Sequence, residues 1–80
     1  MKARIRVTLK NGVLDPQGKA VEGSLHHLGH AGVSNVRIGK YIELDVAADS
    51  ADEARAQCEE MCRKLLANPV IENFTCEVEG

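Results

Sequence analysis

Aromatic side chains are nearly absent: among 80 residues there is one tyrosine, Tyr41, one phenylalanine, Phe74, and no tryptophan. Sheets that bind single-stranded RNA stack bases on exposed aromatics, and Phe74 falls on an apolar, core-facing position, so nucleic-acid binding is not expected. No apolar run approaches the roughly 20 residues that span a bilayer, and the alternating MKARIRVTLK start is unlike a signal peptide, so a cytoplasmic protein with no membrane partner is expected. Three cysteines, Cys58, Cys62 and Cys76, are an odd number without a CxxC pair, which excludes a disulfide framework and leaves packing as their role. Low-complexity segments are missing too, and a chain that is 44% hydrophobic and 28% charged has the composition of a folded domain.

One short domain, residues 1–80, follows from the length. A chain of this size hides only about 60–65% of its unfolded surface, so association with another chain would help it. The formal charge of −2 conceals an asymmetry: residues 1–40 hold seven Lys/Arg against two Asp/Glu, and residues 41–80 hold three against ten. These charges interleave with apolar positions instead of forming a tail, which suggests neutralisation within the fold or between subunits.

Strict alternation from Ala3 to Lys10 puts Ile5, Val7 and Leu9 on one face of a strand and Arg4, Arg6 and Lys10 on the other. Asp15-Pro16 reads as a helix N-cap followed by proline at the first helical position, where the missing N–H is not needed. Val21, Leu25 and Leu28 form that helix's buried stripe, and Gly29 or Gly32 ends it. Val36 and Ile38, then Ile42, Leu44 and Val46, predict a hairpin turning at Gly39-Lys40. Ser50-Ala-Asp-Glu53 is a capping box that starts a second helix at Ala51, with Ala54, Cys58, Met61, Cys62 and Leu65 buried and Asn68-Pro69 as its stop. Phe74, Cys76 and Val78 alternate in a last strand.

The expected fold is therefore α+β, of order β-α-β-β-α-β: a four-stranded antiparallel-type sheet with both helices on one face, as in ferredoxin-like domains. Its first strand lies centrally, so Arg4, Arg6 and Lys10 should face Glu43, Asp45, Glu77 and Glu79 on the open side. Either those charges pair with one another or the open face docks another subunit.

Chemistry-bearing motifs are weak. The stretch Gly12 to Lys19 imitates a phosphate loop but has five residues between its glycines, Ala20 where a hydroxyl should bind magnesium, and Asp15 where phosphate would sit. His26 and His30 are spaced to grip one metal ion, yet no third ligand accompanies them, and a solvated polar face is the better reading. Cys58 and Cys62 lie on the apolar side of their helix. No nucleophile and base are paired, so no catalytic residue and no metal site is expected.

Three stretches taken together, Val7-Thr-Leu-Lys-Asn-Gly-Val-Leu-Asp-Pro-Gln-Gly18, Leu28-Gly29 and Val36-Arg-Ile-Gly-Lys40, resemble the PurS family over the whole chain. The resemblance implies a non-catalytic accessory subunit of phosphoribosylformylglycinamidine synthase, bridging the large synthetase subunit and the glutaminase subunit in purine biosynthesis. It implies no active site and no cofactor for this chain, ATP and magnesium belonging to the large subunit, and self-association as a dimer or tetramer. Loops carry function more often than cores do, so Asp15, Pro16, Gln17, Gly18, Arg37, Gly39 and Lys40 become partner-interface candidates. Asp15 as a cap and Gly39-Lys40 as a turn are the structural alternatives. A ferredoxin-like regulatory domain binding a small metabolite at a dimer interface is the alternative function.

Overall fold

In a computed structural model, described over residues 1–79, the charged-apolar alternation near the start forms strand β1, Lys2–Leu9. Helix α1 (Pro16–His27), strand β2 (Gly39–Asp45), helix α2 (Ala51–Met61) and strand β3 (Glu72–Glu79) follow. The sheet is antiparallel with order β2-β1-β3, and Ile5 on the central strand stands opposite Ile42 on one side and Cys76 on the other. One face of β1 places Ala3, Ile5 and Val7 beneath Ala54, Cys58 and Cys62, and these six are almost wholly buried. Removing Ile5 or Val7 from water is worth about 1.5–3 kcal/mol each.

The opposite face carries the charges. Lys2 meets Glu43 at 3.1 Å, Arg4 meets Glu79 at 2.6 Å and Arg6 meets Glu77 at 2.8 Å, while the Arg6 guanidinium lies 5.4 Å from the Tyr41 ring centre. Pairing across β1 thus accounts for the split composition of the two halves. Two expected partners differ: among the described residues no ion pair involves Lys10 or Asp45, and Lys2 takes part instead. Lys10 lies just beyond the strand, where its N–H donates to the Ile71 carbonyl at 2.8 Å.

Four strands were expected and three are found among the described residues. Val36 and Ile38 are unpaired in the sheet, and their N–H groups donate to side chains instead, Val36 to Glu22 at 3.1 Å and Ile38 to Asp15 at 2.8 Å. Asn35, at φ 57°, adds a left-handed residue just before them. The predicted hairpin turn at Gly39-Lys40 is consequently the start of β2, with Gly39 opposite Thr8. Both helices were also expected on the sheet, but only α2 packs there, and α1 makes no extensive contact with any strand or with α2. Val21 and Leu28 are accordingly 39% and 74% exposed instead of buried.

Helix ends follow the local chemistry. Ser50 accepts from the Glu53 N–H at 3.1 Å and Glu53 in turn accepts from the Asp49 N–H at 3.2 Å, a capping arrangement shifted by one residue on its return arm. Gly29, at φ 99°, supplies the left-handed residue after α1. Beyond Met61 the chain widens into one π-turn, Cys62–Leu66, closed by the Ala67 N–H donating to the Cys62 carbonyl at 2.9 Å. The extra residue in that turn carries Leu66 toward the core and leaves the expected core residue Leu65 82% exposed.

Candidate functional site

Asp15, Gln17, Gly18, Arg37, Gly39 and Lys40 of the seven candidate positions meet where the β1–α1 loop, the start of α1 and the chain entering β2 come together, and Pro16 is the first residue of α1. Asp15 caps α1: its carboxylate accepts from the Gly18 N–H at 2.8 Å through one oxygen and from the Ile38 N–H at 2.8 Å through the other. The carboxylate therefore joins two segments 23 residues apart in sequence. Asp15 is 4% exposed, and those two N–H donors, Ile38 first, hold its carboxyl below the usual aspartate range against the upward push of burial. Arg37 adds a weaker pull from 4.0 Å.

Arg37 has a second task. Its guanidinium donates to the Val13 carbonyl at 3.0 Å and to the Lys10 carbonyl at 3.3 Å, tying the β1–α1 loop to the segment before β2. Gly18 sits inside this clasp, where a Cβ would come within 2.4 Å of the Val36 carbonyl oxygen and 2.8 Å of an Asp15 carboxylate oxygen. Gly39 is equally confined, with a Cβ position only 2.6 Å from the Val7 carbonyl oxygen. Close backbone approach therefore requires both glycines.

Next to the clasp is a cleft of about 160 Å³ lined by Asp15, Gln17, Gly39 and Lys40 of the candidate set, together with Glu72 and the apolar Val7, Leu9 and Ile38. Lys40 reaches to 4.0 Å from Glu72, whose other carboxylate oxygen accepts from the Asn68 N–H at 2.7 Å. Gln17 and Lys40 are exposed walls of this cleft and Pro16 is exposed beside Asp15 in sequence, whereas Asp15 and Gly18 are buried. Arg37 borders a neighbouring hollow with Lys19, Glu22 and Asn35. The arrangement offers shape and a few polar contacts; no hydroxyl or thiol nucleophile stands in it.

Glu22 and Glu72 contribute to this region and were not foreseen. Glu22 is the single acid in α1 and is used to hold Val36, but nothing in the local pattern connects positions 14 residues apart. The His26 ring is within 2.7 Å of the Val33 carbonyl, and among the described residues no three His, Cys, Asp or Glu groups are placed to hold a metal ion. The thiols of Cys62 and Cys76 touch at 3.8 Å in the core, and burial pushes Cys76 up to about 11. No helix among the described residues is long and apolar enough to cross a membrane.

Comparison with known proteins covers the chain almost end to end. The family model described as PurS, phosphoribosylformylglycinamidine (FGAM) synthase, matches residues 2–80. The phosphoribosylformylglycinamidine synthase subunit PurS of Bacillus subtilis is 49% identical over 78 residues, covering 98% of this chain and 92% of that protein. Its counterpart from Synechocystis is 55% identical over 75 residues, covering 94% and 75%. Among solved structures, Bacillus subtilis PurS superposes with a TM-score of 0.88 at 48% identity over 99% of this chain and 98% of that one. A chain of the Thermotoga maritima PurLQS structure superposes with a TM-score of 0.87 at 33% identity, covering 95% and 93%.

Proposed function

The chain belongs to the PurS family of phosphoribosylformylglycinamidine synthase subunits, and we propose that it serves such an enzyme as a non-catalytic accessory subunit. In this role it bridges the large synthetase subunit and the glutaminase subunit, so that ammonia released from glutamine reaches the synthetase without escaping. One observation carries the reading: over nearly its whole length the chain has the fold of a subunit found in the PurLQS structure of Thermotoga maritima. ATP and magnesium belong to the large subunit, and this chain contributes position, not reacting groups. Self-association as a dimer or tetramer is part of the same reading.

The clasp supplies a rigid edge for that work. Asp15, Gly18, Arg37 and Gly39 set the path of two loops, and Pro16, Gln17 and Lys40 are the groups those loops hold out toward the large subunit. A contact made by two loops pinned through a buried carboxylate loses little conformational entropy when the partner docks.

The reading is tested by measuring formylglycinamidine ribonucleotide synthesis by the large and glutaminase subunits of the same organism, with and without this chain. Glutamine-dependent synthesis should require it, and ammonia-dependent synthesis by the large subunit should not. Equal glutamine-dependent rates in both mixtures would refute the bridging role. Within that assay Lys40→Ala and Gln17→Ala should raise the concentration of this chain needed for half-maximal activity while leaving its folding intact.

A further inference from the structure

The bridging role makes no use of the three thiols, and they are not equivalent. Cys58 on α2 and Cys62 at the start of the π-turn are wholly buried, while Cys76 on β3 is half-buried. The Cys62 and Cys76 sulfurs are in contact at 3.8 Å, brought together from two different elements. Cys58 and Cys62 lie one helical turn apart, where Cβ atoms stay about 5–6 Å from each other, beyond the roughly 3.5–4.5 Å that a disulfide spans.

From 3.8 Å the two sulfurs must approach by about 1.8 Å to reach the bonded separation of about 2.05 Å. Rotation of the thiols between staggered positions brings them together. The backbone can also follow at Cys62, because α2 ends at Met61 and the chain widens there into the π-turn. Access is unequal: an oxidant the size of water meets half-buried Cys76 before it meets Cys62. Burial, and after it the contact with Cys62, holds the Cys76 thiol at about 11, so its thiolate is scarce and its oxidation slow. Contact then selects the product, since a sulfur oxidised at Cys76 already has Cys62 beside it.

We propose that Cys62 and Cys76 are a modification site, a dithiol that hydrogen peroxide converts to an intramolecular disulfide within the folded chain. The Cys76 thiolate attacks one peroxide oxygen, the O–O bond breaks and hydroxide leaves, giving a sulfenic acid. The Cys62 thiolate attacks that sulfur, the S–O bond breaks and a second hydroxide leaves. Both hydroxides take up the protons that the thiols released, so one peroxide is reduced to two waters while the sulfurs lose two electrons. The bridge encloses residues 63–75, which carry the turn from Asn68 to Ile71 and the cleft residue Glu72. Reduced, the pair is core packing; oxidised, it pins one wall of the candidate site.

The test is to incubate the purified, fully reduced full chain with millimolar hydrogen peroxide at pH 8. Intact mass should fall by about 2 Da as two thiol hydrogens are lost. Thiols titrated after denaturation should drop from three to that of Cys58 alone, and digestion should yield a peptide linking Cys62 to Cys76. Hydrogen exchange of the β1 amides should stay protected throughout, which places the reaction in the folded state. Closing a loop between positions 14 apart should raise the melting temperature by roughly 10–20 °C at one protein concentration, and a reductant should reverse the rise. Cys58→Ala should form the same bridge, and Cys62→Ser and Cys76→Ser should not. The linked peptide from the unsubstituted chain carries the assignment even where a serine variant fails to fold. A sulfinic acid on Cys76 beside a free Cys62, or a bridge to Cys58 or to another copy, would overturn the proposal. So would thiols that stay intact until the chain is denatured, or a bridge that fails to raise the melting temperature.

Discussion

Gly18 and Gly23 lie in the same helix, yet replacing each by alanine should change stability in opposite directions. At Gly23 nothing lies within 4 Å of the new Cβ, and alanine in place of an interior helical glycine stabilises by about 0.5–1 kcal/mol. At Gly18 the same methyl group would sit 2.4 Å from a backbone carbonyl oxygen and 2.8 Å from the Asp15 carboxylate oxygen that already accepts from the Ile38 N–H. Overpacking against atoms that cannot rotate away costs about 2–3 kcal/mol, which leaves a net loss of about 1–2 kcal/mol after the helical gain. For a domain of this size each kcal/mol moves the melting temperature by roughly 4–8 °C, so Gly18→Ala should melt roughly 5–15 °C lower and Gly23→Ala roughly 2–8 °C higher. Thermal unfolding followed by circular dichroism at one protein concentration measures both, the fixed concentration being needed because association stabilises by mass action. Gly18→Ala as stable as the unsubstituted chain would refute the clasp geometry.

Asp15 has a folded-state pKa below its unfolded one, so its contribution is present at neutral pH and fades as pH falls from about 4 through the lowered value. Asp15→Asn should therefore be less stable than the unsubstituted chain at pH 7, and urea titrations at falling pH should show the difference shrinking; a difference independent of pH would contradict the assignment. Glu43 and Glu79, lowered by Lys2 and Arg4 respectively, act in the same direction, so acid unfolding should set in below the ordinary carboxylate range. On the open face, a double-mutant cycle of Arg6→Ala and Glu77→Ala should yield only about 0.2–1 kcal/mol, because both side chains are more than half exposed, and the coupling should fall further in 1 M salt. A coupling above this range that survives salt would mean the pair is shielded, as by a second chain on that face. With Cys76 pushed up to about 11, only about 0.1% of its thiol is ionised at pH 8, so native protein should react slowly with a disulfide reagent while denatured protein releases three equivalents at once. Rapid native labelling would show that the core opens readily.

Much of the fold is legible in local pattern. The period-two alternation of β1, β2 and β3 is visible because each strand has one apolar face and one charged face, and both N-caps are visible because Asp15 and Ser50 bond to donors three residues ahead. The candidate site is legible only as a set of positions. Gln17 and Gly18 fit no rule of local structure, and Gly18 is explained by a carbonyl 18 residues away at Val36. The missing strand is a competition: Val36 and Ile38 alternate like a strand, but Glu22 and Asp15 take the N–H groups that a sheet would have used. The π-turn that turns Leu65 outward has no mark in a pattern read at 3.6 residues per turn.

Sequence by itself determined that three strands and two helices form, where the two helices begin, which face of each strand is apolar, and the family, because these depend on neighbouring residues and on specific short stretches such as Val36 to Lys40. Tertiary structure alone decided that α1 stands away from the sheet and that the 36–38 segment joins a clasp instead of a strand. The physical reason is that a buried carboxylate spends its two hydrogen-bonding oxygens on donors 3 and 23 residues away, and no local period records a bond of the second kind.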